Sequence, residues 1–230
     1  QAGCVEPGLA RPGERDGRNS YYRLADAGRH AFDFATRRIY AAGPPAWDGT
    51  WLVALAPGGA GNGVRAGREQ AMAELGFAQA GAGSFVRPFA EIPELTEDIP
   101  PGLLVVRGAA LREAPDLAAL WELDELAAAY RALGDNLAPL AAALARGAGL
   151  APLDAMAARV LVDHSWRRIV LRDPGLPAAL LPDDWPGEAA RGRVKAVYAA
   201  LAGPSEAWLD ASGLPEQVDA KRFKARFGGI

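Results

Sequence analysis

Residues 164–174 read HSWRRIVLRDP, and residues 180–187 read LLPDDWPG. Charges, tryptophans and prolines are combined here at a density that ordinary helical segments do not show. Pro152 upstream and Asp173-Pro174 downstream are residues at which helices begin and end, and the apolar residues between them recur at helical spacing. The pattern predicts a long helix from Pro152 to about Arg172, followed by a proline-rich connection.

The apolar residues of this predicted helix spread around every side of it, which is typical of a helix buried in the middle of a domain. Charged side chains interrupt the same turns, and buried charges need partners. Arg168 and Arg172 lie one turn apart near the helix C-terminus, where the helix dipole favours positive charge. Two interpretations stay open: these arginines grip Asp183 or Asp184, or they bind an anion.

The residues give little support to catalysis. A packed helix favours a hydrogen-bonded core role for His164 over an acid or base role, and helix neighbours point about 100° apart, so His164 is poorly placed to activate Ser165. The chain contains neither a Gly-x-Ser-x-Gly elbow nor a phosphate-binding loop of the Gly-x-x-x-x-Gly-Lys type. We therefore predict that the protein is not an enzyme.

Composition indicates a folded, cytoplasmic protein. Half of the 230 residues are apolar, and the single cysteine, Cys4, excludes an internal disulfide and a multi-thiolate metal site. With two histidines, His30 and His164, we expect neither a metal nor a cofactor. No uninterrupted apolar stretch is long enough for a membrane helix, so no membrane partner is expected.

Arginines are concentrated at two places in the chain. Residues 1–40 contain seven arginines and five acids, and residues 159–172 contain four arginines and one aspartate. Cys4-Val5 and residues 20–24 favour strands around a Pro- and Gly-rich segment, which predicts a hairpin. Its tip carries polar donors able to reach DNA phosphates: Arg11, Arg15, Arg18 and Asn19. An amphipathic helix capped by Asp26 follows.

The rest of the chain predicts an α+β protein. Apolar strands are expected at residues 51–56, 84–88 and 103–107, with a helix at 64–75 after the first strand. This order suggests a ferredoxin-like sandwich that a helix near 116–121 completes. Further helices are expected at 120–133, 136–146, 191–201 and 204–209.

Four stretches of the sequence together resemble the PaaX family of bacterial repressors of phenylacetate catabolism. They are the basic hairpin with its following helix, Trp47-Asp48-Gly49-Thr50-Trp51, Leu75-Gly76-Phe77 and, most specifically, the block from His164 to Gly187. The resemblance extends over nearly the whole chain. It implies the wing and exit helix of a winged-helix domain at 1–42, a ferredoxin-like middle domain at 43–118 and a helical C-terminal domain at 119–230.

The resemblance also implies a function. Such a protein is a DNA-binding transcriptional repressor, expected to be a homodimer, that is released from operator DNA by an acyl-coenzyme A such as phenylacetyl-coenzyme A. The recognition helix that precedes a wing has no counterpart before Cys4, so most of the helix-turn-helix is expected to be missing from this chain.

Guanidinium groups suit the phosphates of such an effector, and aromatic side chains suit its acyl ring. The candidate effector-binding residues are His164, Trp166, Arg167, Arg168, Arg172 and Trp185. Two alternatives remain. One is an effector-binding regulator that does not bind DNA. The other is an acyl-coenzyme A or metal-dependent hydrolase that uses His164 or Asp48. The ferredoxin-like domain is similar to small CRISPR-associated nucleases, but residues 51–56 contain no counterpart of their metal-binding aspartate.

Overall fold

The computed structural model describes residues 10–16, 19–58, 61–90, 98–112, 117–213 and 219–230. Helices and antiparallel strands both contribute, so the chain is an α+β protein, as the sequence predicts. It divides into two compact units, residues 1–40 and 41–230. The further division of the second unit at residue 118 stays a prediction.

The first unit contains a β-hairpin. Strand β1 (Ala10–Asp16) pairs antiparallel with β2 (Asn19–Leu24), and the register shifts between Pro12 and Arg15. Proline lacks the N–H that a ladder needs, so irregular pairing is common beside it. Arg11 lies opposite Arg23, far from the tip, so its expected place there is corrected, whereas Arg15 lies beside the last pair of the ladder, Asp16 and Asn19.

Helix α1 (Asp26–Ile39) follows the hairpin. It begins at Asp26 with Ala25 in the N-cap position, so Asp26 is the first helical residue and the prediction that it is the cap is wrong. Arg37 and Arg38 occupy its last turn, where the helix dipole favours positive charge. The predicted strand at Cys4-Val5 lies outside the described residues.

Four antiparallel strands form the sheet of the second unit. In spatial order they are β4 (Ala78–Gly81), β5 (Ser84–Pro88), β3 (Thr50–Leu55) and β6 (Leu104–Ala109). Helix α2 (Asn62–Glu74) connects β3 to β4. The three predicted strands and the predicted helix of this region are confirmed with shifts of one or two residues at their ends.

Strand β4 was not predicted, because Ala78–Gly81 contains no β-branched or aromatic residue. It forms through its pairing with β5 across a two-residue turn. Gly83 in that turn has a φ of +74°, a conformation that glycine adopts without steric cost. Pairing with β5 thus stabilises a strand that its own residues do not favour.

One face of the sheet packs on α2. Leu52 and Ala54 of β3 and Phe85 of β5 form an apolar cluster with Met72 of α2 and with Leu75 just after it. Successive side chains of a strand point to opposite faces, so this face takes alternate residues of each strand.

The opposite face packs on a later part of the chain. Trp51 of β3, Ala78 of β4 and Val86 of β5 cluster with Trp121 and Leu176. Both faces of the sheet are therefore covered near Trp51, which explains why β3 begins as an apolar run without polar alternation.

Three long helices follow the sheet. They are α3 (Asp124–Ala145), α4 (Pro152–Val170) and α5 (Gly187–Ala211), and a short helix α6 (Ala220–Lys224) comes last. The 3-10 turns are Leu117–Leu120, Ala178–Leu180 and Arg226–Gly228. The long helix expected from Pro152 is confirmed, with proline in the first turn, where it needs no hydrogen-bond partner.

The breaks predicted before Asn136 and Pro204 are wrong, because α3 and α5 are continuous there. Gly134 is buried inside α3, and its carbonyl accepts a hydrogen bond from Arg193 Nη1 at 2.6 Å, so this glycine serves packing. Pro204 costs α5 one backbone bond, but Leu201 and Ser205 beside it are fully buried. The apolar burial of α5 offsets this lost hydrogen bond.

Helix α4 is buried on one side only, in contrast to the expectation of burial all round. Its buried residues are Ala155, Arg159, Val162, Trp166, Ile169 and Val170. Leu153, Val160 and Leu161 are 57%, 52% and 65% exposed. None of the described helices is long and apolar enough to cross a membrane.

The last residues of the chain pack on α5. Phe227 is 2% exposed, its ring lies 5.5 Å from that of Tyr198, and Arg226 donates a hydrogen bond to the Tyr198 hydroxyl. Burial of an aromatic ring is among the larger single contributions to packing. The C-terminus is thus anchored on the helical part of the second unit.

A close backbone contact between the sheet and the helices leads to a test. Gly76 has a φ of +81°, and a β-carbon there would lie 2.6 Å from the carbonyl oxygen of Pro174. Gly76→Ala is expected to lower the free energy of unfolding by about 2–4 kcal/mol, measured by urea denaturation, because it adds both backbone strain and a clash.

Gly147→Ala is the matched control, since Gly147 has a φ of +83° and nothing within 4 Å of its would-be β-carbon. It should cost only the strain, about 1–2 kcal/mol. Equal losses in the two variants would contradict the close approach of Gly76 to Pro174.

Candidate functional site

The late arginine cluster lies on the exposed face of α4. His164 and Arg168 are one helical turn apart, Arg172 follows one turn later just beyond the helix, and all three are exposed. Arg167 is also exposed. The expectation that His164 is a packed core residue is therefore wrong, because α4 buries only the opposite face.

The Arg172 guanidinium is held in place by its own helix. Its Nε donates to the carbonyl of Arg168 at 3.0 Å, which satisfies one of the free carbonyls at the end of α4. Within the described chain, no carboxylate forms an ion pair with Arg167, Arg168 or Arg172. The terminal nitrogens of Arg172 are thus not neutralised by an acid of the described chain.

The internal ion pairs that one of the two interpretations gives Arg168 and Arg172 are absent from the described part of the chain. Asp184 pairs with Arg131 of α3 at 2.9 Å. Asp173 accepts hydrogen bonds from the Tyr130 hydroxyl and the Gly175 backbone N–H, both at 2.7 Å. These polar contacts attach the proline-rich connection after α4 to α3, and the arginines at the end of α4 stay exposed.

The two candidate tryptophans lie in the packing between the helices. Trp166 is fully buried, with the Arg191 guanidinium 5.2 Å from its ring centroid. Trp185 is half-buried, and Tyr130 lies 5.7 Å from both tryptophan rings. Trp166 is not accessible to a ligand in this conformation, and the effector role of both residues stays a prediction.

A cavity of about 440 Å³ opens where the turn from α2 to β4 meets the start of α3 and the end of α4. Its apolar lining comprises Phe77, Leu120, Trp121, Leu123 and Leu126, and its polar lining comprises Gln79, Glu122, Glu125 and Arg172. Trp121 is fixed there by its Nε1, which donates to the Gly76 carbonyl at 3.1 Å. The volume and the mixed lining are typical of small-molecule sites.

Of the predicted effector-binding residues, only Arg172 lines this cavity. The sequence reasoning missed the aromatic walls, because Phe77 and Trp121 are 44 residues apart and belong to different predicted domains. One sequence feature pointed to this cavity: Leu75-Gly76-Phe77 is part of the family resemblance, but it had no assigned role.

The buried arginine of α4 has a structural role. Arg159 Nη1 lies 2.5 Å from Glu206 Oε1 of α5, and its guanidinium lies 5.0 Å from the Tyr198 ring and 5.2 Å from the Phe223 ring. Burial lowers the pKa of Arg159, but Glu206 and Tyr198 outweigh burial and raise that pKa above its usual value. This partner was not identifiable from sequence spacing.

Asp48, the carboxylate of the hydrolase alternative, is engaged in a turn. Its Oδ1 accepts from the Thr50 hydroxyl at 2.6 Å and from the Thr50 N–H at 2.9 Å, and Arg107 lies 2.7 Å from Oδ2. These bonds, chiefly that of the Thr50 hydroxyl, lower the pKa of Asp48 to about 2. Such a carboxylate is a weak general base at neutral pH.

The described residues contain no group of three or more metal-ligating side chains that could hold a metal ion. Among the candidate DNA-binding residues, Arg11 and Arg15 lie on β1, opposite Arg23 and Ser20 of β2, and Asn19 begins β2. Arg18 lies outside the described residues. The hairpin thus places three of the four candidates within one antiparallel ribbon.

The fold and the cavity define an α+β protein that presents a small-molecule-sized site beside an exposed arginine. Residues 121–211 match the family model of the PaaX-like protein C-terminal domain. The transcriptional repressor PaaX of Escherichia coli (strain K12) is 30% identical over 239 residues, covering 94% of this chain and 73% of that protein. The chain belongs to the PaaX family.

A solved structure is also similar. It is the uncharacterized protein Rv0674 from Mycobacterium tuberculosis, with a TM-score of 0.54 and 24% identity, covering 81% of this chain and 74% of that one. At this identity the likeness shows the fold alone. The prediction that the chain is not an enzyme agrees with its family, since the E. coli relative is by name a repressor.

The environment of Asp48 can be tested by carboxyl NMR. Its titration midpoint is expected at about 2, below the ordinary 3.8. Because the folded pKa is the lower one, Asp48 contributes stability that is complete above about pH 4 and is lost as the pH falls to about 2.

Thr50→Val should raise this midpoint more than Arg107→Ala does, because the hydroxyl hydrogen bond is the largest cause. A larger rise of the Asp48 midpoint in the Arg107 variant would show that the ion pair, and not the Thr50 hydroxyl, is the main cause of the low pKa.

Proposed function

We propose that the protein is a cytoplasmic transcriptional repressor of an aromatic-acid catabolic operon of the phenylacetate type. In this proposal an acyl-coenzyme A such as phenylacetyl-coenzyme A binds the repressor and releases it from operator DNA. The observation that carries the proposal is the 30% identity to the E. coli repressor over 94% of the chain.

The proposed domain organisation follows the family. Residues 1–42 form the wing and exit helix, 43–118 the ferredoxin-like middle domain and 119–230 the helical C-terminal domain. The strand order β4-β5-β3-β6, antiparallel throughout, and the helix that connects β3 to β4 support the middle assignment. The hairpin of β1 and β2 supports the wing assignment.

Operator binding in this proposal uses the hairpin. Arg11, Arg15, Arg18 and Asn19 contact the DNA backbone, where arginines and amides commonly bind phosphate oxygens. Such contacts position the protein on DNA without reading the bases. The surplus of arginine in residues 1–40 supports this assignment.

Effector binding in this proposal uses the face of α4 that carries the arginine cluster. His164, Arg167, Arg168 and Arg172 are assigned to the anionic parts of the ligand, whereas the buried Trp166 and the half-buried Trp185 support the helix packing behind this face. The effector releases DNA only if it binds one orientation of the wings more tightly than the other. The exposed arginines without a carboxylate partner in the described chain support an anionic ligand.

The proposed repressor is a homodimer. Four aliphatic side chains share one face of β3 and β6: Val53, Leu55, Leu104 and Val106, which are 37%, 39%, 62% and 49% exposed. Val53 lies opposite Val106, and Leu55 lies opposite Leu104. Apolar patches of this kind commonly mark interfaces, and a two-fold dimer brings the same patch together from both copies.

The DNA contacts can be tested by fluorescence anisotropy at several salt concentrations, with DNA from upstream of the protein's own gene and with unrelated DNA. Arg15→Ala combined with Arg18→Ala should weaken binding to both DNAs similarly and flatten the salt dependence by about one unit of slope per lost phosphate contact.

Arg146→Ala, at the exposed C-terminus of α3, is the control for the loss of charge. If neither DNA binds to the unsubstituted protein at any salt concentration, the proposed phosphate contacts of the hairpin are overturned.

The dimer surface can be tested by light scattering during size exclusion. Val106→Lys should convert the dimer into a monomer, because it places a charge in the apolar patch. Val160→Lys makes the same substitution at a 52% exposed position of α4 and should leave the dimer intact. The reverse pattern would place the interface on α4.

A further inference from the structure

We infer that the cavity between the α2–β4 turn and the helices binds the aromatic acyl group of the effector, with Arg172 at its polar edge bound to the acyl oxygen. This inference rests on the proposed function, and it assigns to the ligand a site that lies partly outside the arginine cluster. The cavity, its walls and the preorganised guanidinium are the observations that carry it.

The walls of the cavity suit a ring. Phe77 and Trp121 bring aromatic surfaces from the sheet side and from the start of the helical part, and Leu123 and Leu126 add aliphatic surface. Phe77 and Trp121 are 4% and 8% exposed, so packing holds both rings and only a small part of each faces the cavity. Rigid aromatic walls favour a flat apolar ligand, because they lose little freedom when it binds.

The polar residues of the cavity determine how the ligand is oriented. Arg172 is a donor in a fixed position, since its Nε is bound to the Arg168 carbonyl at 3.0 Å. Glu122 and Glu125 also line the cavity, and neither forms an ion pair with Arg172 in the described chain. Their charges disfavour phosphates inside the cavity. The uncharged ring therefore enters, and the acyl oxygen stays at Arg172.

The rest of a thioester ligand lies outside the cavity. A volume of about 440 Å³ is smaller than a whole coenzyme A thioester. Arg168 is one turn back along the exposed face of α4, so this face carries further positive charge beside Arg172, and His164 follows one turn further. This face suits the phosphates, which bind arginine through charge-assisted hydrogen bonds.

The site also offers a mechanism for the switch. Gly76 and Phe77 come from the turn between α2 and β4, whereas Arg172 and Pro174 come from the end of α4. A ligand between them contacts both the sheet and the helices. The ligand acts as an effector only if this arrangement of sheet and helices is coupled to the orientation of the wings, because an effector shifts only states that it binds with unequal affinity.

The test is calorimetry of the whole chain with three probes: phenylacetyl-coenzyme A, free phenylacetate and coenzyme A. Ala73→Trp adds bulk at an exposed position of α2 that lines the cavity, and Arg172→Ala removes the donor. Each should weaken phenylacetyl-coenzyme A binding by about tenfold or more. Ala66→Trp on the exposed surface of α2 and Arg146→Ala at the end of α3 should leave it unchanged.

The outcomes separate the two proposals. Phenylacetyl-coenzyme A binding that is insensitive to Ala73→Trp and Arg172→Ala overturns the cavity assignment and keeps the proposed function. Phenylacetate binding that both variants weaken, without thioester binding, keeps the cavity and overturns the thioester effector. If neither phenylacetyl-coenzyme A nor phenylacetate binds, the cavity assignment is overturned. It is also overturned if coenzyme A alone binds as tightly as the thioester. Unfolding curves of each variant exclude loss of folding as the cause.

Discussion

The approach of Gly76 to Pro174 is the contact on which the arrangement of the second unit depends. It joins the turn after α2 to the end of α4 at backbone distance, where a β-carbon would come within 2.6 Å of a carbonyl oxygen. Trp121 reinforces the contact through its hydrogen bond to the Gly76 carbonyl. Because the two parts meet at these backbone groups, the cavity beside them is lined from both sides.

The arginines of α4 differ in role because they differ in burial. Arg159 is 9% exposed, and a buried guanidinium needs a carboxylate and aromatic faces, which Glu206, Tyr198 and Phe223 supply. Arg172, just beyond the helix, is exposed, and its Nε donates to the Arg168 carbonyl. Helix α4 thus buries a structural cation on one face, and an exposed arginine follows its C-terminus.

The interior between the helices is organised by polar contacts as well as by apolar burial. Tyr130 contacts the rings of Trp166 and Trp185 and donates to Asp173, so one side chain links α3 to both ends of the proline-rich connection. Arg193 donates to the carbonyl of Gly134 and ties α5 to α3. These bonds keep the connection after α4 attached to α3 and leave the exposed face of α4 accessible.

Sequence periodicity and family resemblance together determined the α+β class, the family, the strands β3, β5 and β6, and the helices α2 and α4, because these segments carry strong local patterns. Only the tertiary structure decided the existence of β4, the continuity of α3 at Gly134 and of α5 at Pro204, the exposure of His164 and the partner of Arg159. It also brought Phe77, Trp121 and Arg172 together. Such features depend on contacts between residues far apart in the chain, and local spacing carries no record of these contacts.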